Sequence, residues 1–245
     1  MRTIPETIKQ LLIINVLFFI GSQFLGDFSN DLLALHYFEN DKFIVTQVFT
    51  HMFMHGNLYH IIFNMIGLWM FGSPLVQMWG KNKFLFFYFS AGLGAASLQL
   101  FVYYLEIQSV FSLVEPNGVS FETLKIVLSE GSYNPSILQY ISEENLTSAY
   151  STYNTTLVGA SGAIYGVLVA FAFSFPNSEL MLLFPPIPIK AKFLVPGLIL
   201  MDLFFGFSSF SLGPIAHFAH VGGALSGFIM VWYWRRNQFN GNRWN

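Results

Sequence analysis

Residues 55–78 read HGNLYHIIFNMIGLWMFGSPLVQM. About 20 mostly apolar residues span a bilayer core as a helix, and this run is that long. Yet it carries His60 and Asn64, four residues apart and therefore on one helical face. Polar groups inside a span are costly and each calls for a partner or a role. The stretch therefore reads as a membrane helix with one chemically active face.

The rest of the chain agrees. Of its 245 residues, 54% are hydrophobic and only 10% charged, with 29 Phe and no Cys. Soluble domains carry about 25% charged residues. The composition excludes an ordinary soluble enzyme and a disordered chain. A net charge of -2 with no basic block excludes a nucleic-acid binder. The absence of Cys excludes a disulfide framework, an iron–sulfur cluster and a thiol nucleophile.

Five further apolar segments flank the quoted one, which itself runs from about Asn57 to Met78. They are Ile8–Phe24, Phe84–Leu105, Thr156 to just before Pro176, Phe193–Phe207 and Ile215–Trp234. The expected fold is an all-α membrane protein, a bundle of six transmembrane helices. The first segment follows Arg2 and Lys9 as a signal peptide would, but no small-residue cleavage site follows it. It is expected to be retained.

With the N-terminus inside and six crossings, nine of the eleven basic residues fall on the inner side; only Lys42 and Lys125 fall outside. Ten of the thirteen acids, from Asp27 to Glu144, fall outside. By the positive-inside rule, both termini are expected in the cytosol of a bacterium, the protein lying in its plasma membrane. The chain is expected to be one transmembrane domain over residues 1–245. The short termini are expected to leave no room for a further cytosolic domain. Residues 106–155 read as an extramembrane insertion with amphipathic stretches at 120–129 and 136–146, and not as a second domain with its own core.

Four polar residues fall near the outer ends of the second, fourth and sixth segments: His60, Asn64, Ser161 and His220. Ser161 is five residues past Thr156 and His220 five past Ile215, each about 7–8 Å below its expected helix start. At one depth, Ser161 reads as a nucleophile and His220 as its general base. His60 and Asn64 read as donors to an oxyanion. Gly159 and Gly162 leave room for a substrate backbone, and Tyr165, one turn past Ser161, is positioned to stack on the His220 ring. Singly, each has a plainer reading: a span serine bonding its own helix, an interfacial histidine, an interhelical asparagine. His217 competes with His220 as the base, and depth favours His220 only slightly. His51, His55 and His60 lack an intervening carboxylate and H-E-x-x-H is absent, so no metal is expected. Asp202 has no intramembrane carboxylate partner in the sequence, which disfavours an aspartyl dyad. The Gly223 and Gly227 pair is spaced for close packing of the sixth segment, expected on the fourth.

Three stretches carry a family resemblance: His55 to Met65, Gly159-Ala160-Ser161-Gly162-Ala163-Ile164-Tyr165-Gly166, and Ala219-His220-Val221-Gly222-Gly223. In this order they resemble the motifs of rhomboid intramembrane serine proteases, of the basic six-helix bacterial type. The resemblance implies a Ser161–His220 dyad without a third acid, which resolves the choice against His217. It implies an oxyanion hole from His60, Asn64 and the Ser161 backbone N–H, and Tyr165 packed on the base. It also implies no cofactor, and single-pass transmembrane proteins as substrates, cut near a helix end within the lipid bilayer. Two other readings stand beside it: a non-catalytic rhomboid-like binder of membrane helices, and a transporter, for which no internal repeat is seen.

Overall fold

The computed structural model describes residues 3–181, 187–208 and 215–237. Arg2 and Arg243, counted in the charge asymmetry, lie outside them. Helix α1 (Glu6–Leu25) leads through α2 (Asp27–Leu33) and the short α3 (Gln47–Thr50) to α4 (Leu58–Gly67). A π-helical turn, Leu68–Gly72, joins α4 to α5 (Ser73–Trp79). Then come α6 (Lys81–Val114), α7 (Phe121–Glu130), α8 (Glu143–Asn154) and α9 (Ser161–Ser174). Strands β1 (Glu179–Met181) and β2 (Pro188–Lys190) pair antiparallel before α10 (Ala191–Phe207) and α11 (His217–Arg236).

Among the described residues, three helical stretches are long and apolar enough to cross a membrane: Glu6–Leu25, Leu58–Trp79 and Lys81–Asn117. Their outward faces are apolar. Leu17 is 61% exposed and Phe24 86% exposed, whereas a water-soluble surface seldom carries such large contiguous apolar patches. On its other face α1 buries Ile8 and Leu11. Gly72 admits it: a Cβ there would lie 2.8 Å from the Ile8 Cδ1. The first segment is thus an integral part of the bundle.

Helix α9 is the centre of the bundle, and small residues put it there. Gly162, Ala163, Gly166 and Ala170 are buried along it. A Cβ on Gly223 would overlap the Gly162 carbonyl, and one on Gly227 would sit 2.6 Å from the Gly166 Cα. Helices α9 and α11 therefore meet backbone to backbone, as the spacing of Gly223 and Gly227 predicts. On the opposite flank of α11, a Cβ on Gly222 would lie 2.8 Å from the Gly94 carbonyl of α6. Dense packing and close backbone approach are what hold helices together where lipid offers no hydrophobic drive.

Two boundaries differ from the sequence reading. Helix α6 does not stop at Leu105 but continues to Val114, 34 residues in all and about 51 Å long. That exceeds a hydrocarbon core of about 30 Å. Ile107, Val110 and Val114 of this extension bury against Leu124 and Leu128 of α7, Leu146 and Ala149 of α8, and Tyr37 from the segment between α2 and α3. The 106–155 stretch thus packs on α6 through a buried cluster that the weak amphipathicity of its sequence did not reveal.

The second difference concerns α9. It begins at Ser161, not Thr156. Before it the chain leaves α8 in extended form at Thr155, Leu157 bridges Leu35 with N···O distances of 3.0 and 2.8 Å, and Ala160 is already in the helical region. Gly159 has φ +121°, which no helix contains.

Candidate active site

Ser161 is delivered by that extended strand. The Gly159 N–H donates to the His51 carbonyl at 2.9 Å. His51 is itself fixed, its ring Nδ1 2.8 Å from the Gln47 carbonyl. Gln47, fully buried, ties the segment between α2 and α4 together by donating to the Asp31 and Lys42 carbonyls. Burial pushes the imidazoles of His51 and His55 down from 6.5 to about 4, so both are neutral near neutral pH. Ser161 then opens α9, where the first N–H groups have no helical acceptor.

His220 comes from the first turns of α11. Its Nε2 lies 3.0 Å from the Ser161 Oγ. The ring stacks on Tyr165 at 4.2 Å between centroids and 8° between planes. The backbone beside it is pinned from α6: the Ala219 N–H donates to the Gln99 Oε1 at 3.0 Å. His217 points elsewhere, its Nδ1 2.6 Å from the Asp202 Oδ1. The equal-depth argument from two buried helix positions does not hold, since Ser161 is the first residue of its helix and His220 the fourth of its own. They meet because an extended segment, not a helical turn, lowers Ser161 into place.

His60 and Asn64 approach from α4. Asn57 caps that helix, its Oδ1 accepting from the His60 N–H at 2.9 Å. The Gly56 N–H donates to the His60 Nδ1 at 3.4 Å, which leaves Nε2 as the protonated donor. That Nε2 would lie 2.7 Å from a Cβ at Gly159, and the Ser161 Oγ 3.6 Å from the same point. Asn64 is one turn further along and 6% exposed, and its Nδ2 has no hydrogen-bond acceptor among the described residues. One turn beyond it, Gly67 faces α9, where a Cβ would lie 3.3 Å from the Ile164 side chain. His60, Asn64 and Gly67 thus share the face of α4 that meets α9.

The structure adds two residues to the site. Gln99 is a buried polar side chain inside α6, visible in the sequence as a polar interruption of an apolar run. Asp202 meets imidazoles and not a second carboxylate. Its Oδ1 lies 2.6 Å from the His217 Nδ1 and 3.1 Å from the His220 Nδ1.

A family model described as Rhomboid domain matches residues 42–139 and 135–237. Rhomboid protein 1, mitochondrial, of Saccharomyces cerevisiae is 27% identical over 181 residues, covering 74% of this chain and 39% of that protein. Presenilin-associated rhomboid-like protein, mitochondrial, of Mus musculus is 29% identical over 196 residues, 78% of this chain and 38% of that protein. Presenilin-associated rhomboid-like protein A, mitochondrial, of Danio rerio is 29% identical over 185 residues, 74% and 34%. The chain thus spans well under half the length of these relatives.

The relatives overturn the expected bacterial plasma membrane, because all three are mitochondrial proteins. Charge asymmetry orients a chain across a bilayer but carries no information about which bilayer. The helical membrane architecture and the extent of the family match, which takes in all three motif stretches, lead to one conclusion: the chain belongs to the rhomboid family of membrane proteins, a family associated with intramembrane proteolysis.

Proposed function

We propose that the protein is an intramembrane serine endopeptidase acting through Ser161 and His220. The observation that carries this reading is the 3.0 Å approach of the His220 Nε2 to the Ser161 Oγ, which is hydrogen-bond reach for a nucleophile and its base. In the reaction, His220 takes the Ser161 hydroxyl proton as Oγ attacks the scissile carbonyl. The C–N bond then breaks, and the leaving amine receives that proton from His220. Water, deprotonated by His220, hydrolyses the resulting ester and returns Ser161 to its hydroxyl form.

The oxyanion formed at each step needs donors. The Asn64 Nδ2, without an acceptor among the described residues, the His60 Nε2–H and the Ser161 backbone N–H supply them. A buried donor left without an acceptor costs about 1–3 kcal/mol, and it becomes useful when negative charge develops beside it. Tyr165 holds the His220 ring by stacking, and Gly159 keeps the space above Ser161 open. The reading requires no cofactor or metal.

The substrates proposed are single-pass transmembrane proteins, whose scissile bond must leave its helix to expose a carbonyl. The chain is proposed to cross the bilayer six times as one rhomboid-like unit, with residues 106–155 as the insertion. Both flanking segments then lie on the side holding Lys9, Lys81, Lys83, Lys190 and Lys192. The membrane proposed from the relatives' names is mitochondrial.

The test is cleavage of a transmembrane reporter in liposomes, together with labelling by a serine-directed fluorophosphonate. Wild type is expected to cut and to label; Ser161→Ala is expected to do neither. Normal cleavage by Ser161→Ala would sink the reading.

A further inference from the structure

Asp202 is an intramembrane carboxylate, 6% exposed, on α10. An ion in that position is retained only if it is well paired. Two groups converge on it. The His217 Nδ1 lies 2.6 Å and the His220 Nδ1 3.1 Å from its Oδ1. A carboxylate offers about four lone-pair sites, so it can accept both bonds at once. One of the two donors is the base that faces Ser161.

We propose that Asp202 is a positioning residue that fixes the tautomer and orientation of His220, completing an Asp202–His220–Ser161 relay. This rests on the assignment of Ser161 and His220 proposed above, and it differs from the dyad without an acid that the resemblance implies. With Nδ1–H donating to Asp202, the Nε2 lone pair is left facing the Ser161 hydroxyl, the arrangement a general base requires. When Nε2 takes the serine proton, the Nδ1 proton stays on its nitrogen. Asp202 remains ionised and faces the imidazolium at hydrogen-bond distance. The described balance of the reaction is unchanged, since no proton is passed to Asp202. In serine proteases with a triad, replacing the aspartate by asparagine costs about 10⁴ in kcat through the wrong tautomer. Here Tyr165 also restrains the ring, so the loss is expected to be smaller.

The same geometry assigns His217. Its Nδ1–H donates to the same Oδ1, and its ring stacks near Phe205 at 5.8 Å. It therefore anchors the carboxylate from the start of α11 and does not face Ser161.

The experiment compares the full chain with Asp202→Asn, Asp202→Glu and Ser161→Ala on a transmembrane reporter in liposomes. Asp202→Asn is expected to lower kcat between tenfold and a thousandfold with KM within about threefold, and Asp202→Glu to recover at least tenfold of that loss. A general packing defect would instead lower the yield of folded protein and leave the kcat of the folded fraction unchanged. The second measurement needs no Asp202 variant: nitrogen NMR of the histidine-labelled wild type, with the His220 signals identified by their loss in His220→Gln. His220 is expected to carry its proton on Nδ1. A His220 protonated on Nε2, or a kcat for Asp202→Asn within twofold of wild type, overturns the proposal. Cleavage by Ser161→Ala overturns instead the protease assignment on which it rests.

Discussion

Gly159 and His60 occupy one another's space: a Cβ at 159 would stand 2.7 Å from the His60 Nε2 and 2.8 Å from its Cε1. The backbone at Gly159 also has φ +121°, a region closed to ordinary side chains. Two independent constraints, one conformational and one steric, therefore demand glycine two residues before Ser161. Gly159→Ala is expected to push the His60 ring aside or lift the strand that delivers Ser161. Cleavage should fall at least a hundredfold while the protein still inserts, read by reporter kinetics alongside circular dichroism in detergent.

The oxyanion donors have their own signature. Removing one typically lowers kcat about 10²–10³-fold. Asn64→Ala is expected to do so with little change in KM, and His60→Ala likewise. Full activity in both variants would contradict the donor assignment. Because Asn64 Nδ2 has no acceptor among the described residues, Asn64→Leu should not destabilise the fold and is expected to hold or raise the melting temperature.

Residues acting as one unit give effects that do not add. Ser161→Ala and His220→Ala are each expected to abolish most cleavage, and the double variant to be no worse than Ser161→Ala. The four-way comparison of rates checks this; a double variant slower by the product of the two single effects would show two separate contributions.

Helix packing supplies a structural contrast. Gly223→Val would drive a side chain into the Gly162 carbonyl, separating α11 from α9 and His220 from Ser161. Its melting temperature and activity are both expected to drop. Gly197, with nothing within 4 Å of an added Cβ, accepts Ala without loss of either. Thermal unfolding of the two variants in the same detergent checks the difference.

Stability should depend on pH through the segment between α2 and α4. His51 and His55 are held near 4 by burial against an ordinary 6.5. Above pH 6.5 both are neutral, folded or unfolded, and contribute no pH dependence. Between about 6.5 and 4 the unfolded chain binds protons that the folded chain refuses, so stability falls as pH falls. The melting temperature is expected to decline across this window, and His51→Gln to flatten part of the decline. Since His51 accepts the Gly159 N–H through its carbonyl, loss of this loop on acidification should also disorder the strand leading to Ser161.

Composition and hydrophobic run length were enough to identify a helical membrane protein, because the bilayer dictates both segment length and polarity. The three motif stretches, read in order, were enough for the family, and the Gly223 and Gly227 spacing for the packing partner of α11. Local sequence could not show that residues 155–159 run outside any helix. Their conformation follows from a bridge to Leu35, more than a hundred positions away, and a glycine at positive φ. It could not show that α6 runs on to Val114 beneath a packed cluster, since that cluster joins Tyr37 to residues of α6, α7, 137–141 and α8. Nor could it pair Asp202 with His217 and His220, which lie 15 and 18 residues further along the chain. The sequence displayed the acid and the histidines separately. Only the meeting of α10 with α11 brings their polar atoms within hydrogen-bond distance, because desolvated charge and imidazole find each other through packing and not through spacing along the chain.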